Sequence, residues 1–320
     1  MAYGKWSKRE RSPEPPSFRA SKQLKMSYKN QTTVAMGITG QLLRTEGMDK
    51  NVVYSPLSIH VVLSMIASGA SKGPSMDQLL YFLRAKSVSE LNDLASSLVP
   101  LVFADGSPNG GPRLSFANGV WLEDSVSIKT PFKEAVDLSC KALLKQVDFK
   151  TKSEEVRCEV NAWVEKQTNG LIKDIIPPGL VDSSTDIILA NALYFKGAWD
   201  KKVNFHASNT REWGFHLQDG RSVKAQFMTS GGTHYVSVFD GFKVLRLPYE
   251  QGQDCKRRFS MCVFLPNERD GLPALVERVS TEFGFLDRHI PRERVRVGRF
   301  LIPKFKISSD FDCISKFWNL

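Results

Sequence analysis

Nucleophilic and metal chemistry need histidine, cysteine and carboxylate side chains at set spacings, and this chain scatters them. His60, His206, His216, His234 and His289 have no carboxylate or cysteine partner at metal-ligand spacing. Cys140, Cys158, Cys255, Cys262 and Cys313 form no CxxC pair, and their odd number leaves at least one thiol free. They read as reduced, small, mostly buried side chains of a reducing compartment. There is no GxSxG elbow, HExxH helix, Walker loop or GxGxxG turn. His60 falls inside an apolar helical stretch, where a core or helix-surface histidine is a better reading than a catalytic base. No acid–base pair assembles, so the chain does not read as an enzyme, and no metal or cofactor is expected.

Basic residues form a second kind of candidate site. Lys256-Arg257-Arg258 and the row Arg292, Arg294, Arg296 and Arg299 could hold a polyanion. At strand spacing, however, Arg294 and Arg296 leave Val295 and Val297 facing inward, which is the pattern of a half-solvated strand. The net charge of +10 is uneven: residues 1–30 hold eight basic and two acidic side chains. A basic tail on a nearly neutral globule results, and it reads as a solvated arm, with contact to nucleic acid or an anionic surface as the alternative.

These residues must be positioned by a substantial core, which 320 residues with 42% hydrophobic and 10% aromatic side chains can build. Residues 1–26, with Ser12-Pro13-Glu14-Pro15-Pro16-Ser17, read as disordered, whereas no linker longer than the loop Asp105–Pro112 interrupts the rest. The N-terminus lacks an apolar run of signal-peptide length, and Val52–Ala70 is broken by polar residues and Pro56, so neither Sec-type export nor a membrane span is read. A cytoplasmic location is the expectation. The sequon Asn30-Gln31-Thr32 carries weight only on a secretory route.

Val34–Leu43 reads as a first helix. Ser55-Pro56 then offers an N-cap and a first-turn proline to a helix that is apolar nearly all round, as expected inside a large protein. Further helices are expected over Ser89–Phe103, Pro131–Leu144 and Ser153–Asn169, the last with Val156, Val160 and Val164 on one face. Leu114–Leu122 reads as a strand. The apolar run Ile187–Phe195 reads as a strand covered on both faces. Tyr235–Val238, Lys243–Leu247, Phe259–Leu265, Arg294–Val297 and Arg299–Ile307 are extended in character. Helices dominate the first half and strands the second, so the fold class is α+β. Asn191 alternates with Leu189 and Leu193, so its amide should be buried. Unsatisfied, it would cost about 1–3 kcal/mol, and hydroxyl partners such as Ser58 are wanted.

Several segments, in order, resemble a serpin. Asn51-Val52-Val53-Tyr54-Ser55-Pro56-Leu57-Ser58-Ile59 is similar to the start of that family's central helix, and Trp163-Val164-Glu165-Lys166-Gln167-Thr168-Asn169-Gly170 to its helix over the main sheet. Asn191-Ala192-Leu193-Tyr194-Phe195-Lys196-Gly197-Ala198-Trp199 resembles the strand lining the sheet's gate. Leu301-Ile302-Pro303-Lys304-Phe305-Lys306-Ile307 resembles its sixth strand. Phe239–Tyr249 and Phe264-Leu265-Pro266 also match, and Gln31–Ala35 and Gly73–Leu80 look like the plant branch.

The resemblance implies the serpin fold, a helical bundle with large mixed β-sheets, over 29–320, behind a disordered basic extension over 1–28. It implies descent from suicide inhibitors of serine proteases, and by extension cysteine proteases, acting as monomers, with an extracellular location also open. In that family an exposed reactive loop is cleaved by the protease and inserts as a new strand into the main sheet. By position Ser55, Ser58 and Asn191 match the shutter that must open, and Trp199 matches the breach. A core polar cluster in which Asn191 and the serines satisfy one another is the plainer reading of the same residues. The loop's small-residue hinge and the strands that follow it have no counterpart in residues 1–320, so the expectation is a truncated, non-inhibitory member.

Overall fold

The computed structural model describes residues 16–45, 47, 50–203, 205–217 and 219–307, with only the backbone of 16–23. Helix α1 (Pro16–Thr45) presents Val34, Ile38 and Leu42, one per turn, to a cluster with Tyr54, Ile59 and Phe82. Half of the stretch expected to be a disordered extension is therefore helical, from Pro16 onward; residues 1–15 of it lie outside the described residues. The buried Glu90 carboxylate supplies one reason. It accepts the Ser27 hydroxyl at 2.7 Å and the Lys86 N–H at 2.9 Å, while Ser87 caps the helix Val88–Val102 through the Glu90 N–H at 3.2 Å. A partner 63 residues away thus fixes α1 where local composition argues for disorder.

Helix α2 (Pro56–Gly69) starts as the sequence predicts, with the Ser55 hydroxyl accepting the Ser58 N–H at 3.2 Å and Pro56 in the first turn. Helices α3 (Pro74–Phe82) and α4 (Val88–Val102) complete the bundle around it. Strand β1 (Arg113–Glu123) follows, then α5 (Thr130–Glu134), which runs into a π turn over Ala135–Ser139 closed by the Cys140 N–H on the Ala135 carbonyl at 3.0 Å. Lys141 next has φ of 51°, a left-handed conformation, and the chain enters β2 (Ala142–Val147). The helix expected to reach Leu144 therefore stops at the π turn, and 142–144 are strand. Helix α6 (Phe149–Gln167) is capped by Asp148, which accepts the Thr151 N–H at 2.8 Å, and ends at Gly170, whose φ is 78°.

β1 is the centre of a three-stranded sheet, parallel to β2 and antiparallel to β3 (Ile187–Lys196). Its two faces serve two cores. Leu114, Phe116, Val120 and Leu122 join Val61 and Met65 of α2, Val99 of α4 and Val136 of the π turn. Trp121 on the other face joins Val156, Val160 and Val164 of α6, as the period-two alternation of a strand requires. Leu189 and Leu193 of β3 pack on the first core, Ile188, Ala190 and Ala192 on the second, so β3 is covered on both faces as expected.

The remaining strands form two further antiparallel sheets: β10-β5-β4, from β4 (Arg211–His216), β5 (Ser222–Met228) and β10 (Ile302–Pro303), and β8-β7-β6-β9, from β6 (Thr233–Phe239), β7 (Phe242–Pro248), β8 (Ser260–Pro266) and β9 (Val295–Arg296). Helices α7 (Leu272–Thr281) and α8 (Phe285–His289) pack Leu275 and Phe285 on Phe242 and Val244. The segment Leu301–Ile307, expected as a strand of the main sheet, pairs only over Ile302–Pro303 and through the Lys304 N–H, which donates to the Gln226 carbonyl at 2.8 Å, and it does so with β5 in a different sheet. At β9 the alternation holds, with Arg296 opposite Thr233 and Val297 packed on the cluster of Leu245 and Phe300, but Val295 is exposed, and Arg294 is half-buried because its guanidinium bonds the Thr233 backbone and side chain.

Cys140, Cys158, Cys255 and Cys262 are free thiols; Cys158 and Cys255 are exposed rather than buried, and Cys313 lies outside the described residues. Among the described residues no helix is long and apolar enough to cross a membrane.

Close packing of α6 on β1 turns on Gly119. A Cβ there would meet the Trp121 ring at 2.4 Å and the Trp163 ring at 3.1 Å, and Trp121 is fully buried with nowhere to retreat. Gly119→Ala is expected to destabilise the fold by about 1–3 kcal/mol despite the entropic gain of replacing glycine, measured as a lower urea midpoint at unchanged slope.

Candidate functional site

The polar centre of the main sheet lies on the inner face of β1. Asn118 and Asn191 stand directly opposite each other in the β1–β3 register, and the Asn191 amide donates to Asn118 Oδ1 at 2.6 Å. The Asn118 amide in turn donates to the Cys140 carbonyl, at the end of the π turn, at 2.8 Å. The pair therefore ties β3, β1 and the turn leading to β2 into one unit. Cys140 is inert as a nucleophile here, since burial pushes its thiol up to about 12.

Asn191 is the expected polar residue in an apolar strand, but its partner is Asn118, and no bond from it to Ser58 or Ser55 exists among the described residues. Asn118 was missed by sequence reasoning, although the signal is present: it occupies the inward phase of an apolar strand, between Phe116 and Val120. Ser55 serves as the cap of α2. The Ser58 hydroxyl is buried and without a hydrogen-bond partner, as are both ring nitrogens of His60 two residues on. Burial lowers the His60 pKa from 6.5 to about 4, so this ring is neutral in the folded protein at physiological pH.

Trp199 sits beyond the far end of β3, bridging to Tyr249. Its indole stacks on the Tyr249 ring with centroids 4.7 Å apart, and Phe195 meets the same ring edge-on at 5.0 Å. Trp199 also contacts Phe205, which stacks on Phe300, and Phe300 lies flat on His234 at 3.8 Å. A string of aromatic rings thus couples the end of β3 to the four-stranded sheet. Gly197 makes it possible, since a Cβ would meet the Tyr249 ring at 2.6 Å.

The opposite face of β1 is bolted to α6 at three places. The Ser115 hydroxyl donates to the Gln167 carbonyl at 2.5 Å near the helix end. Midway, the Trp121 indole N–H donates to Glu159 at 3.0 Å, and Glu159 also receives Lys145 of β2 at 2.6 Å. Burial would raise the Glu159 pKa, but these two bonds prevail and hold it below the usual range. At the helix start the buried Glu123 accepts the Phe149 N–H at 2.7 Å, where a carboxylate also complements the helix dipole. The loop after α6 is pinned by Asn161, which bonds both the N–H and the carbonyl of Ile176 at 3.0 and 2.9 Å.

Among the described residues no group of three or more histidine, cysteine or carboxylate side chains could hold a metal ion. What the arrangement offers is mechanical. Among the described residues β3 is paired on one side only, to β1, leaving the other edge of a ten-residue strand free to accept hydrogen bonds from an added strand.

Residues 29–317 match the family model described as serpin (serine protease inhibitor). Serpin-ZX of Arabidopsis thaliana is 51% identical over 88% of this chain and 71% of its own length. The probable non-inhibitory serpin-Z5 of the same plant is 43% identical over 91% of this chain and 68% of its own. Arabidopsis AtSerpin1, solved in its native stressed conformation, superposes with a TM-score of 0.82 at 50% identity, over 88% of this chain and 71% of that one.

Two outcomes follow from the polar centre. Asn191→Ala removes one partner of Asn118, which is 2% exposed, and is expected to cost about 1–3 kcal/mol in urea unfolding, because Asn118 Oδ1 is left without a donor. For His60 the sign runs from the depressed folded pKa: the unfolded chain takes up the proton near 6.5, the folded chain only near 4. Stability is therefore full above pH 6.5 and falls as pH drops through 6.5 toward 4, by roughly 3 kcal/mol from this residue. His60→Leu should flatten that part of the stability–pH curve while leaving acid unfolding below it.

Proposed function

The chain belongs to the serpin family, a family of protease inhibitors rather than enzymes, and from that premise we propose that its 320 residues form the insertion frame of a serine-protease trap. One observation carries the reading: the free edge of β3 beside the Asn118–Asn191 tie. An added strand would pair along the outer edge of β3, on the side away from β1, and the Asn118–Asn191 tie would hold β3 in register on β1 while it does so. Ser58, on α2, carries a buried hydroxyl with spare bonding capacity, which suits a group that takes a partner in only one state of the sheet. Trp199, stacked on Tyr249 at the end of β3, suits the breach where such a strand would enter.

Trapping a protease also requires a bait that is cut and then inserts. Residues 1–320 contain no counterpart of that small-residue loop. The chain spans 71% of the length of Serpin-ZX. A polypeptide of residues 1–320 alone, which carries no such bait, is accordingly proposed not to trap a protease, whatever the whole protein does.

The test is incubation of the 320-residue polypeptide with a trypsin-like and a chymotrypsin-like protease. The expected result is ordinary proteolysis or no reaction, without a detergent-resistant adduct. A covalent protease complex on a denaturing gel would overturn it.

A further inference from the structure

The arginine row in the sequence is not one surface. Arg299 stacks on Trp213 with its guanidinium 4.5 Å from the ring centroid, on the β10-β5-β4 sheet, and Arg292 donates to the Asp287 carbonyl. Arg294 turns instead onto the four-stranded sheet, where it meets an arginine outside the row. β6 runs between β7 and β9, and Tyr235 on β6 lies directly opposite Arg246 on β7. The Arg246 guanidinium sits 4.1 Å from the Tyr235 ring centroid and that of Arg294 5.4 Å from it. Arg296 stands opposite Thr233, two residues from Tyr235 and on the same strand face.

These cations lack a counter-charge. Among the described residues none of Arg246, Arg294 and Arg296 is in an ion pair, and Glu293, adjacent in sequence, makes none with them. Arg294 is anchored by Thr233, through its hydroxyl at 3.1 Å and its carbonyl at 2.5 Å, and by the Lys202 carbonyl at 3.4 Å. Arg246 has no such anchor. Its Nε is buried and unpartnered. A tyrosine ring attracts a guanidinium through its π face but satisfies none of its N–H groups, and an arginine cannot shed its proton to escape the mismatch.

We propose that Arg246, Arg294 and Arg296, gathered around Tyr235, form a binding site for a tetrahedral oxyanion, a phosphate or sulfate group. Such an anion answers each feature. Guanidinium forks bond its oxygens two at a time, its charge relieves the repulsion between the arginines, and the Tyr235 hydroxyl can donate to a remaining oxygen. Arg294, prepositioned by Thr233, loses little freedom on binding, and Arg246 gains the acceptors it lacks. The site lies on the third sheet, away from β3 and independent of the trapping mechanism.

The test is calorimetric titration of the full 320-residue chain with inorganic phosphate and, separately, with dextran sulfate, on the unaltered protein and on Arg246→Gln, Arg246→Lys and the exposed control Lys72→Gln, in the loop before α3. Saturable binding is expected, weakened about tenfold by Arg246→Gln and unchanged by Lys72→Gln. Arg246→Lys keeps the charge but not the fork and is expected to lose affinity too, which carries the test should the glutamine variant fail to fold. Binding of phosphate assigns the site to a free or small-molecule phosphate group, and binding of dextran sulfate alone assigns it to a sulfated polymer. No saturable binding of either, or equal losses in Arg246→Gln and Lys72→Gln, overturns the proposal.

Discussion

The hydrogen bonds of Asn118 are the constraint on which the main sheet depends. An amide on the inner face of an apolar strand must find both a donor and an acceptor in a core that supplies few. Here the donor comes from Asn191 on β3 and the acceptor is the Cys140 carbonyl. That carbonyl is available because the π turn over Ala135–Ser139 and the left-handed Lys141 end the helix at Cys140 and redirect the chain into β2. A polar pair also fixes register. Slipping β3 by one residue would carry Asn191 to the α6 side and put Ala190 or Ala192 against Asn118, stranding the amide.

The other face of β1 is governed by contact distance. Trp121 and Trp163 meet edge-on with centroids 5.1 Å apart, directly over Gly119. With Ser115, Glu159 and Glu123 holding α6 along the strand, the helix and the β2-β1-β3 sheet behave as one packed layer. Parting β3 from β1 would break their antiparallel ladder and with it strain two unlike side-chain attachments: a half-buried amide pair below the sheet, and above it the shared apolar core of Ile188, Ala190 and Ala192 with α6. The first is directional and is lost over a short displacement, whereas the second weakens gradually as area is exposed.

What was legible in the sequence was what local chemistry decides. Ser55-Pro56 fixes the start of α2, Val156, Val160 and Val164 fix the buried face of α6, and the run from Ile187 fixes β3. What was not legible depends on distant partners. Helix α1 extends back through Ser27 to Pro16, with Ser27 held by the Glu90 carboxylate far along the chain. The apolar spacing through Leu144 continues past the true helix end, because no glycine or proline marks the π turn and Lys141 takes the left-handed conformation instead. Arg294 is half-buried rather than fully solvated because a tyrosine ring and the Thr233 backbone offer it more than solvent does. Strand character at Leu301–Ile307 is real in composition, yet a strand needs a neighbour, and among the described residues only the short stretch Gln226–Met228 provides one. Asn191 was found by its phase within an apolar strand. The same rule applied to β1 leads to Asn118.

The unsatisfied polar groups of this fold divide by whether the group can discharge. His60 is buried with neither ring nitrogen bonded, and it meets the cost by giving up its proton, which leaves a neutral ring. Arg246 has no such exit, because a guanidinium stays charged in any accessible environment. Its half-exposed position is then as informative as its missing partner: the Nε is covered, while the residue as a whole keeps access to solution, where the proposed anion would meet it. The two sites follow from the same rule, that buried polarity has to be answered, and differ only in where the answer comes from. His60 answers it from within, by titration; Arg246 can be answered only from outside.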